Sequence, residues 1–231
     1  YLPARNLWGA MTEHLTRAGV IVEPGSPQGD YRRVGQWLRA HCAFGYLFVC
    51  CDNVLLNPCY SSEGLRYGCR PEAEEQETKE CKGWSESQFE RHYLAAHVTT
   101  ALDPASTSAQ AQSLHEVEYI APHDSSGERT GLQGWVWLDD LARERLADED
   151  WRAWPKEVQV GGERRYGFGR LRLSPPRADD GLITGYAFDG AGERPRLRID
   201  RGTPLLAHAL VDGVSAKGMI EPLVGRETER D

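Results

Sequence analysis

Residues 160–173 read VGGERRYGFGRLRL, and this segment says more about the fold and chemistry of the chain than any other. It holds four glycines and four arginines, with Tyr166 and Phe168 between them. Glycine permits positive φ and a close approach to the main chain, while arginine supplies a planar cation that matches phosphate geometry. The pattern predicts a glycine-rich loop that leads into a strand over 168–173.

Two roles fit this loop on its residues alone. The first is binding to a nucleic-acid backbone through Arg164, Arg165 and Arg170, with Tyr166 or Phe168 as a stacking face, although Phe168 also suits the core. The second is an ordinary connection between two elements. A phosphate-binding P-loop is excluded because no Gly-Lys-Ser/Thr follows, and the dinucleotide fingerprint does not fit either. The glycines whose backbone would face RNA are Gly161, Gly162 and Gly167.

Composition limits the possible classes of protein. The chain has 231 residues, of which 40% are hydrophobic, enough for one large domain or two small ones. No run of about 18 apolar residues is present, so we expect no membrane span. No apolar signal-peptide core follows the first residues, and we expect the six cysteines to be reduced in a cytoplasmic protein.

The net charge of −8 argues against a protein that coats nucleic acid with its whole surface. A local basic surface remains compatible with that charge, because binding depends on how charge is distributed. The segment from Arg164 to Arg172 contains no acidic residue. Any contact with nucleic acid is therefore expected to be confined to this part of the surface.

Hydrophobic periodicity predicts a mixed α and β chain. Helices are expected over 7–18, with Asn6 as N-cap and Gly19 as the stop, over 31–41, and over 139–154. The apolar run over 43–56 predicts a buried strand that ends near Asp52, and residues 57–90 are expected to be an irregular excursion. Further strands are expected over 114–120, with Leu114, Val117 and Tyr119 inward, and over 134–138, 182–188, 197–199 and 205–210.

Three segments in one order carry a family resemblance. They are YLPARNLWGA at 1–10, TALDPAST at 100–107 with LHEVEY at 114–119, and the loop and strand over 161–173. The order resembles the RAMP superfamily of CRISPR-associated proteins, the RNA-binding subunits of effector complexes, and in particular those of type III. Two positions depart from the family pattern: Ala4-Arg5-Asn6 replaces Gly-Ser-Ser, and Pro104-Ala105-Ser106 replaces an arginine-containing turn.

The resemblance implies an α+β fold with a ferredoxin-like (RRM-type) core over 1–175 and a C-terminal extension over 176–231. It implies that 103–113 is a thumb hairpin, whereas composition alone favours a surface loop. It also implies that guide RNA (crRNA), target RNA and other effector subunits are the partners, and that Arg5 and Asn6 lie near the RNA backbone. By composition, those two residues simply belong to a helix start.

A ribonuclease of the same fold is the first alternative. Histidine titrates near neutrality and serves as a general base, so His97 is a candidate, together with His92, His115 and His123. Asp103 is the acid most suited to touch an RNA-bound metal, and it can equally cap a turn before Pro104. No triad is recognisable from spacing, and the resemblance transfers no catalytic residue, because the family's catalytic Asp precedes the helix-start motif.

A zinc-containing interaction subunit without RNA contact is the second alternative. Cys59, Cys69, Cys81 and His92 supply four ligands of the type that zinc prefers. Their spacings are wider than the close pairs of usual structural sites. A metal clip would nevertheless help an irregular segment that lacks an evident core.

Overall fold

The computed structural model describes residues 1–20, 30–51, 54–61, 64–68, 83–110, 112–147, 153–177, 186–189 and 195–200. Helices and strands are mixed along the chain, as the sequence predicts, and the sheets are small and antiparallel. The helices are α1 (Ala4–Ala18), α2 (Tyr31–His41), α3 (Glu86–Tyr93) and α4 (Asp140–Leu146). No helix in these ranges is long and apolar enough to cross a membrane.

Fourteen strands lie within the described ranges. In chain order they are β1 (Cys42–Phe44), β2 (Phe48–Cys51), β3 (Val54–Leu55), β4 (Pro58–Ser61), β5 (Gly64–Tyr67), β6 (Trp84–Ser85), β7 (Leu94–Thr99), β8 (His115–Ile120), β9 (Gly131–Gln133), β10 (Val136–Leu138), β11 (Glu157–Gln159), β12 (Arg170–Arg172), β13 (Tyr186–Asp189) and β14 (Arg196–Ile199). The pairings form sheets β3-β2-β9 and β4-β5-β6 and the two-stranded sheets β1-β10, β7-β8, β11-β12 and β13-β14.

Helix α1 begins at Ala4 and not at Leu7, so the prediction that Asn6 is its N-cap is wrong. Pro3 occupies the cap with φ −60, and the Asn6 amide donates to the Pro3 carbonyl at 3.0 Å. Proline's fixed φ suits a helix start, and the chain is therefore already helical at Asn6. Gly19 ends the helix at φ 65, as predicted.

Helices α1 and α2 approach each other closely at Gly35. A Cβ on this glycine would lie 2.9 Å from the Trp8 ring, and the Trp8 indole donates to the Gly35 carbonyl at 3.2 Å. Helix α2 has its predicted bounds, with Val34 and Leu38 buried. The largest core cluster lies between α1, α2, β1 and α4, and it contains Leu7, Met11, Leu15, Val34, Leu38, Cys42, Ala142, Leu146 and Ala153.

The strand predicted over 43–56 is divided into β1, β2 and β3. The break comes where the Gly45 amide donates to the Trp135 carbonyl at 2.9 Å and Leu47 pairs with Leu2. Gly134 permits this crossing, since a Cβ there would lie 2.2 Å from the Tyr46 carbonyl oxygen. A second chain segment therefore interrupts what the apolar run alone presents as one strand.

The expectation of irregular structure over 57–90 is wrong for the described part of that segment. Strands β4, β5 and β6 form an antiparallel sheet, and α3 follows directly. A capping box fixes the start of α3, because the Ser85 hydroxyl accepts from the Gln88 amide while the Gln88 side chain accepts from the Ser85 amide. Phe89 and Tyr93 then bury one face of the helix against Val49 and Leu56.

The second half of the chain also departs from the predicted bounds. Helix α4 ends at Leu146 and is shorter than the predicted 139–154; Asp139 is its N-cap and accepts the Ala142 amide at 2.8 Å. Leu114 precedes β8 and is exposed, so the prediction that it faces inward is wrong. The strand expected over 205–210 lies outside the described residues. The division at 175 and 176 into a core and an extension stays a prediction.

Candidate nucleic-acid interface

The glycine-rich loop, residues 160–169, is the connection of a β-hairpin. Strands β11 and β12 pair antiparallel with Val158 opposite Leu171, and the Val160 amide donates to the Gly169 carbonyl at 2.9 Å. The sequence predicts a helix over 139–154 before the loop with no strand between them, which is wrong, because β11 lies there. Both ends of the loop are thus fixed by backbone pairing.

The backbone favours glycine at three positions of this loop: Gly161 with φ 90, Gly167 and Gly169. A turn of 3-10 helix over Arg164–Tyr166 ends at Gly167, which has φ 89 and donates its amide to the Arg164 carbonyl at 3.1 Å. Gly169 has φ 74, and a Cβ there would lie 1.7 Å from the Val160 carbonyl oxygen. The glycine pattern therefore follows from the close return of the main chain, whether or not RNA is bound.

The Gln159 side chain links two points of the backbone of the glycine-rich loop. Its side-chain Nε2 donates to the Arg164 carbonyl at 2.8 Å and to the Phe168 carbonyl at 3.0 Å. A primary amide has two N–H donors, and here both are used on the loop's own backbone. The turn keeps its shape through these bonds, which sequence inspection did not reveal.

Helix α1 and the glycine-rich loop share one surface. Val158 and Val160 pack on Ala10, and Arg164 Nη1 lies 3.4 Å from Glu13 Oε2. Asn6 lies on the same helical stripe as Ala10 and Glu13, since residues three and four apart share a face. Two of the three segments behind the family resemblance thus meet at this surface.

The arginines of this surface differ in how they are neutralised. Arg164 is 51% exposed and shares Glu13 with Arg17, which lies 2.7 Å from the same carboxylate. Arg165 and Arg170 are exposed and form no ion pair within the described ranges, and Arg5 on α1 is exposed as well. Arg165 and Arg170 are therefore the cations of the loop that are available to an anion without breaking an existing pair.

The two aromatic residues of the loop occupy different environments. The Tyr166 side chain is 73% exposed. The Phe168 ring is half-buried, with its centroid 5.0 Å from that of Tyr119 and 6.0 Å from that of His97. Only Tyr166 is therefore presented to solvent as a free stacking face.

Phe168 packs on the base of a long hairpin, residues 94–120, built from β7 and β8. The register places His97 opposite Val117 and Thr99 opposite His115. Because side chains alternate along a strand and opposite residues share a face, these four side chains all point towards the glycine-rich loop. The sequence predicts His97 and His115 as candidate bases but not their place beside the loop, because the predicted inward face of β8 (Leu114, Val117 and Tyr119) leaves His115 outward.

A cavity of about 200 Å³ lies between the long hairpin and the glycine-rich loop. We name it the loop cavity; its lining residues are His97, Thr99, His115, Val117, Glu163, Tyr166 and Phe168. The Thr99 hydroxyl is 2.7 Å from His115 Nε2, and the Ser113 carbonyl is 3.3 Å from His115 Nδ1. His115 is thereby oriented by its neighbours, while within the described ranges His97 forms no hydrogen bond.

The tip of the long hairpin is ordered by its own backbone. Leu102 and Ala109 form a β-bridge, and the Asp103 amide donates to the Ser108 carbonyl at 2.8 Å. The Asp103 carboxylate accepts the Ala105 amide at 2.8 Å, and hydrogen bonds from the Ala105 and Ser106 amides lower the pKa of Asp103. Asp103 thus caps the turn before Pro104, and its role towards an RNA-bound metal stays a prediction.

His92 lies at the end of α3, far from the glycine-rich loop in sequence, and bonds to the turn over 124–128. Its Nε2 lies 3.1 Å from Asp124 Oδ2, and its Nδ1 is hydrogen-bonded to the Ser125 hydroxyl. The Asp124 side chain is only 7% exposed, and the hydrogen bond from the Ser126 hydroxyl is the largest of the contacts that lower its pKa. These bonds fasten the turn over 124–128 to the end of α3.

The zinc prediction involves residues that the structure describes only in part. Cys69 and Cys81 lie outside the described residues, and Cys59 lies in β4. Among the described residues, no group of three or more His, Cys, Asp or Glu side chains is placed to hold a metal ion. Zinc binding by these cysteines and His92 stays a prediction.

The sequence matches no family model and no curated protein. A solved structure that is similar is a chain of the type III-B Cmr-beta bound to cognate target RNA and AMPPnP, with 14% sequence identity and a TM-score of 0.40. The similarity covers 80% of this chain and 58% of that one. The chain thus spans little more than half the length of this structural neighbour.

Proposed function

We propose that this chain is an RNA-binding subunit of an RNA-guided CRISPR effector complex, with a ferredoxin-like core, whose role is to hold guide RNA beside similar subunits. One observation carries the proposal: the glycine-rich loop is closed by backbone hydrogen bonds and exposes Arg165 and Tyr166 beside α1, with Arg170 exposed at the start of β12. The proposed place in a CRISPR complex rests on the order of the three sequence segments, which resembles that of the RAMP superfamily.

The exposed groups suit a backbone ligand. Arg165 and Arg170 offer planar, permanently charged donors to phosphate, and such contacts position RNA without reading its sequence. Gly161 and Gly162 leave open space where a Cβ would stand, so a sugar-phosphate chain can approach the loop closely. We therefore expect RNA binding that depends strongly on salt and only weakly on sequence.

The long hairpin takes the place of the thumb in this proposal. Val98, Leu102 and Leu114 are exposed apolar side chains at 55%, 66% and 72%, and they lie towards its tip. Exposed apolar side chains that flank the polar tip of an ordered hairpin are suited to press against stacked bases or a neighbouring subunit. The net charge of the whole chain is −8, so acidic groups elsewhere on the surface disfavour RNA and its contact is expected on the loop side.

The decisive experiment is to purify the tagged protein from its own cells at moderate salt and to sequence any nucleic acid that accompanies it. Short RNAs of uniform length that share a repeat-derived end, together with sibling subunits, are the expected result. A clean protein with neither RNA nor siblings would contradict the proposal. The next test would then be metal analysis of the segment with Cys59, Cys69 and Cys81.

A cleavage assay on the same purified protein distinguishes the ribonuclease alternative from the proposed RNA-binding function. We expect labelled RNA to stay intact with the purified chain, with and without divalent metal. Cleavage that disappears in a His97→Ala variant would instead identify an enzyme. A His123→Ala variant serves as the matched control, since His123 does not line the loop cavity.

A further inference from the structure

The loop cavity contains groups that phosphate binding does not explain. Its aromatic wall is Phe168, fixed against Tyr119 at 5.0 Å, with Tyr166 at the mouth. Flat rings around a small cavity are the usual environment of an unstacked nucleobase, which stacks on aromatic side chains and forms hydrogen bonds at its edge. An inorganic phosphate would gain little from such rings.

The polar wall of the loop cavity contains an acid in an unexpected place. Glu163 lies directly before Arg164 and Arg165 and lines the cavity, and within the described residues its carboxylate has no hydrogen bond or ion pair. A carboxylate beside the arginines repels an RNA backbone, so it weakens binding to phosphate alone. The same carboxylate is favourable if a base N–H group reaches it.

We propose that the loop cavity receives one unstacked nucleobase of the bound RNA and prefers a base with an exocyclic amino group, such as cytosine, to uracil. The Glu163 carboxylate accepts from an amino group such as cytosine N4. On that edge uracil presents one N–H group between two carbonyl oxygens, and the carboxylate is repelled by both oxygens. Tyr166 closes over the base, and Phe168 supports it from below. This inference rests on the proposed RNA-binding function.

The test compares two RNAs that differ only at the base edge. Fluorescein-labelled oligocytidine and oligouridine of about 12 nucleotides are titrated at one salt concentration and followed by anisotropy. The whole chain is expected to bind oligocytidine about fivefold more tightly, within the range of one good base contact. Glu163→Gln should remove this preference, whereas Glu157→Gln, an acid of the same hairpin outside the loop cavity, should keep it.

The stacking role is tested with a second pair of variants. Tyr166→Ala should weaken binding of both RNAs about fivefold or more, within the measured range for base–aromatic stacking. Tyr31→Ala removes an exposed tyrosine from α2, outside the loop cavity, and should leave both affinities unchanged. Circular dichroism of each variant establishes that it is folded. Addition of cytidine monophosphate should also shift the His97 imidazole resonance more than uridine monophosphate does.

The outcomes separate this inference from the function on which it rests. Equal affinity of the unmodified chain for the two RNAs, with binding that still falls in the Arg164→Ala/Arg165→Ala variant, would overturn the base cavity and leave RNA binding intact. Retention of the cytidine preference in Glu163→Gln would overturn the role of the carboxylate. Absence of any RNA binding would overturn both proposals.

Discussion

Arg164 Nη1 lies 3.4 Å from Glu13 Oε2, and this contact joins the glycine-rich loop to the first helix. The same carboxylate lies 2.7 Å from Arg17, so one acid neutralises two cations at the edge of the proposed RNA surface. Exposed ion pairs of this kind contribute about 0.2–1 kcal/mol, which a phosphate can displace. In the RNA-free protein, Glu13 thus acts as an internal competitor for the RNA phosphates.

Replacement of Glu13 by Gln is expected to tighten RNA binding. Both arginines are then available to phosphate, and the gain should be roughly threefold at low salt and should vanish as salt screens the charges. Anisotropy titrations at several salt concentrations measure it. Glu90→Gln makes the same charge change at an exposed position of α3. An equal gain in RNA affinity in that variant would show a general effect of net charge.

The double variant Arg164→Ala/Arg165→Ala is expected to lower RNA affinity roughly tenfold at moderate salt. Each lost phosphate contact on single-stranded RNA should also reduce the slope of log K against log salt by about 0.7. Arg172→Ala is the control, because Arg172 belongs to the same hairpin and lies 3.8 Å from Glu157. Unchanged affinity and slope in the double variant would place the RNA elsewhere.

Gly169→Ala should destabilise the protein by about 2 kcal/mol or more. Its φ of 74 disfavours any side chain, and the new Cβ would meet the Val160 carbonyl oxygen at 1.7 Å. Gly162→Ala should change the free energy of unfolding little, since its Cβ would enter open space. Urea unfolding of the two variants measures the difference, and equal midpoints would contradict the described loop.

Acid should weaken the turn that holds His92. The pKa of Asp124 is lower in the folded protein than its ordinary 3.8, mainly because the Ser126 hydroxyl donates to it. The contribution of the ionised Asp124 carboxylate to stability is therefore fully present above the pKa of the unfolded chain. It is lost as the pH falls through the pKa of the folded protein. Asp124→Asn should be less stable than the unmodified chain near pH 7, and the difference should shrink below about pH 4.

Unfolding midpoints from neutral to acid pH test this expectation for Asp124. Glu116→Gln, an exposed acid of β8, is the control and should follow the unmodified chain throughout. A stability difference for Asp124→Asn that is the same at every pH would show that the ionised carboxylate does not stabilise the turn.

Strong local patterns in the sequence were sufficient to predict some of the helices and strands. Helix α2 was predicted with its observed bounds, because Val34 and Leu38 form an inward stripe along it. Helix α3 was missed although Ser85 and Gln88 form a capping box, because the polar residues around it resemble a loop. Periodicity is a weak signal when a helix spans only two turns.

Elements that depend on distant partners could not be predicted. The division between β1 and β2 arises from a contact of Gly45 with Trp135, which no local pattern records. Strand β11 consists of Glu157–Gln159, too short a segment for alternation to be apparent. In the candidate site, the exposure of Arg165 and Tyr166 agrees with the expected loop, whereas the loop cavity depends on tertiary packing of Phe168 against the long hairpin.

The two bonds from the Gln159 side chain to the loop backbone have a kinetic consequence. A turn that is already closed needs no folding step when RNA arrives, so little conformational entropy is lost on association. Association with an RNA strand would then proceed in a single kinetic phase, whose rate is set by diffusion and electrostatic steering. Discrimination between RNAs at this surface would accordingly lie in how long each one stays bound.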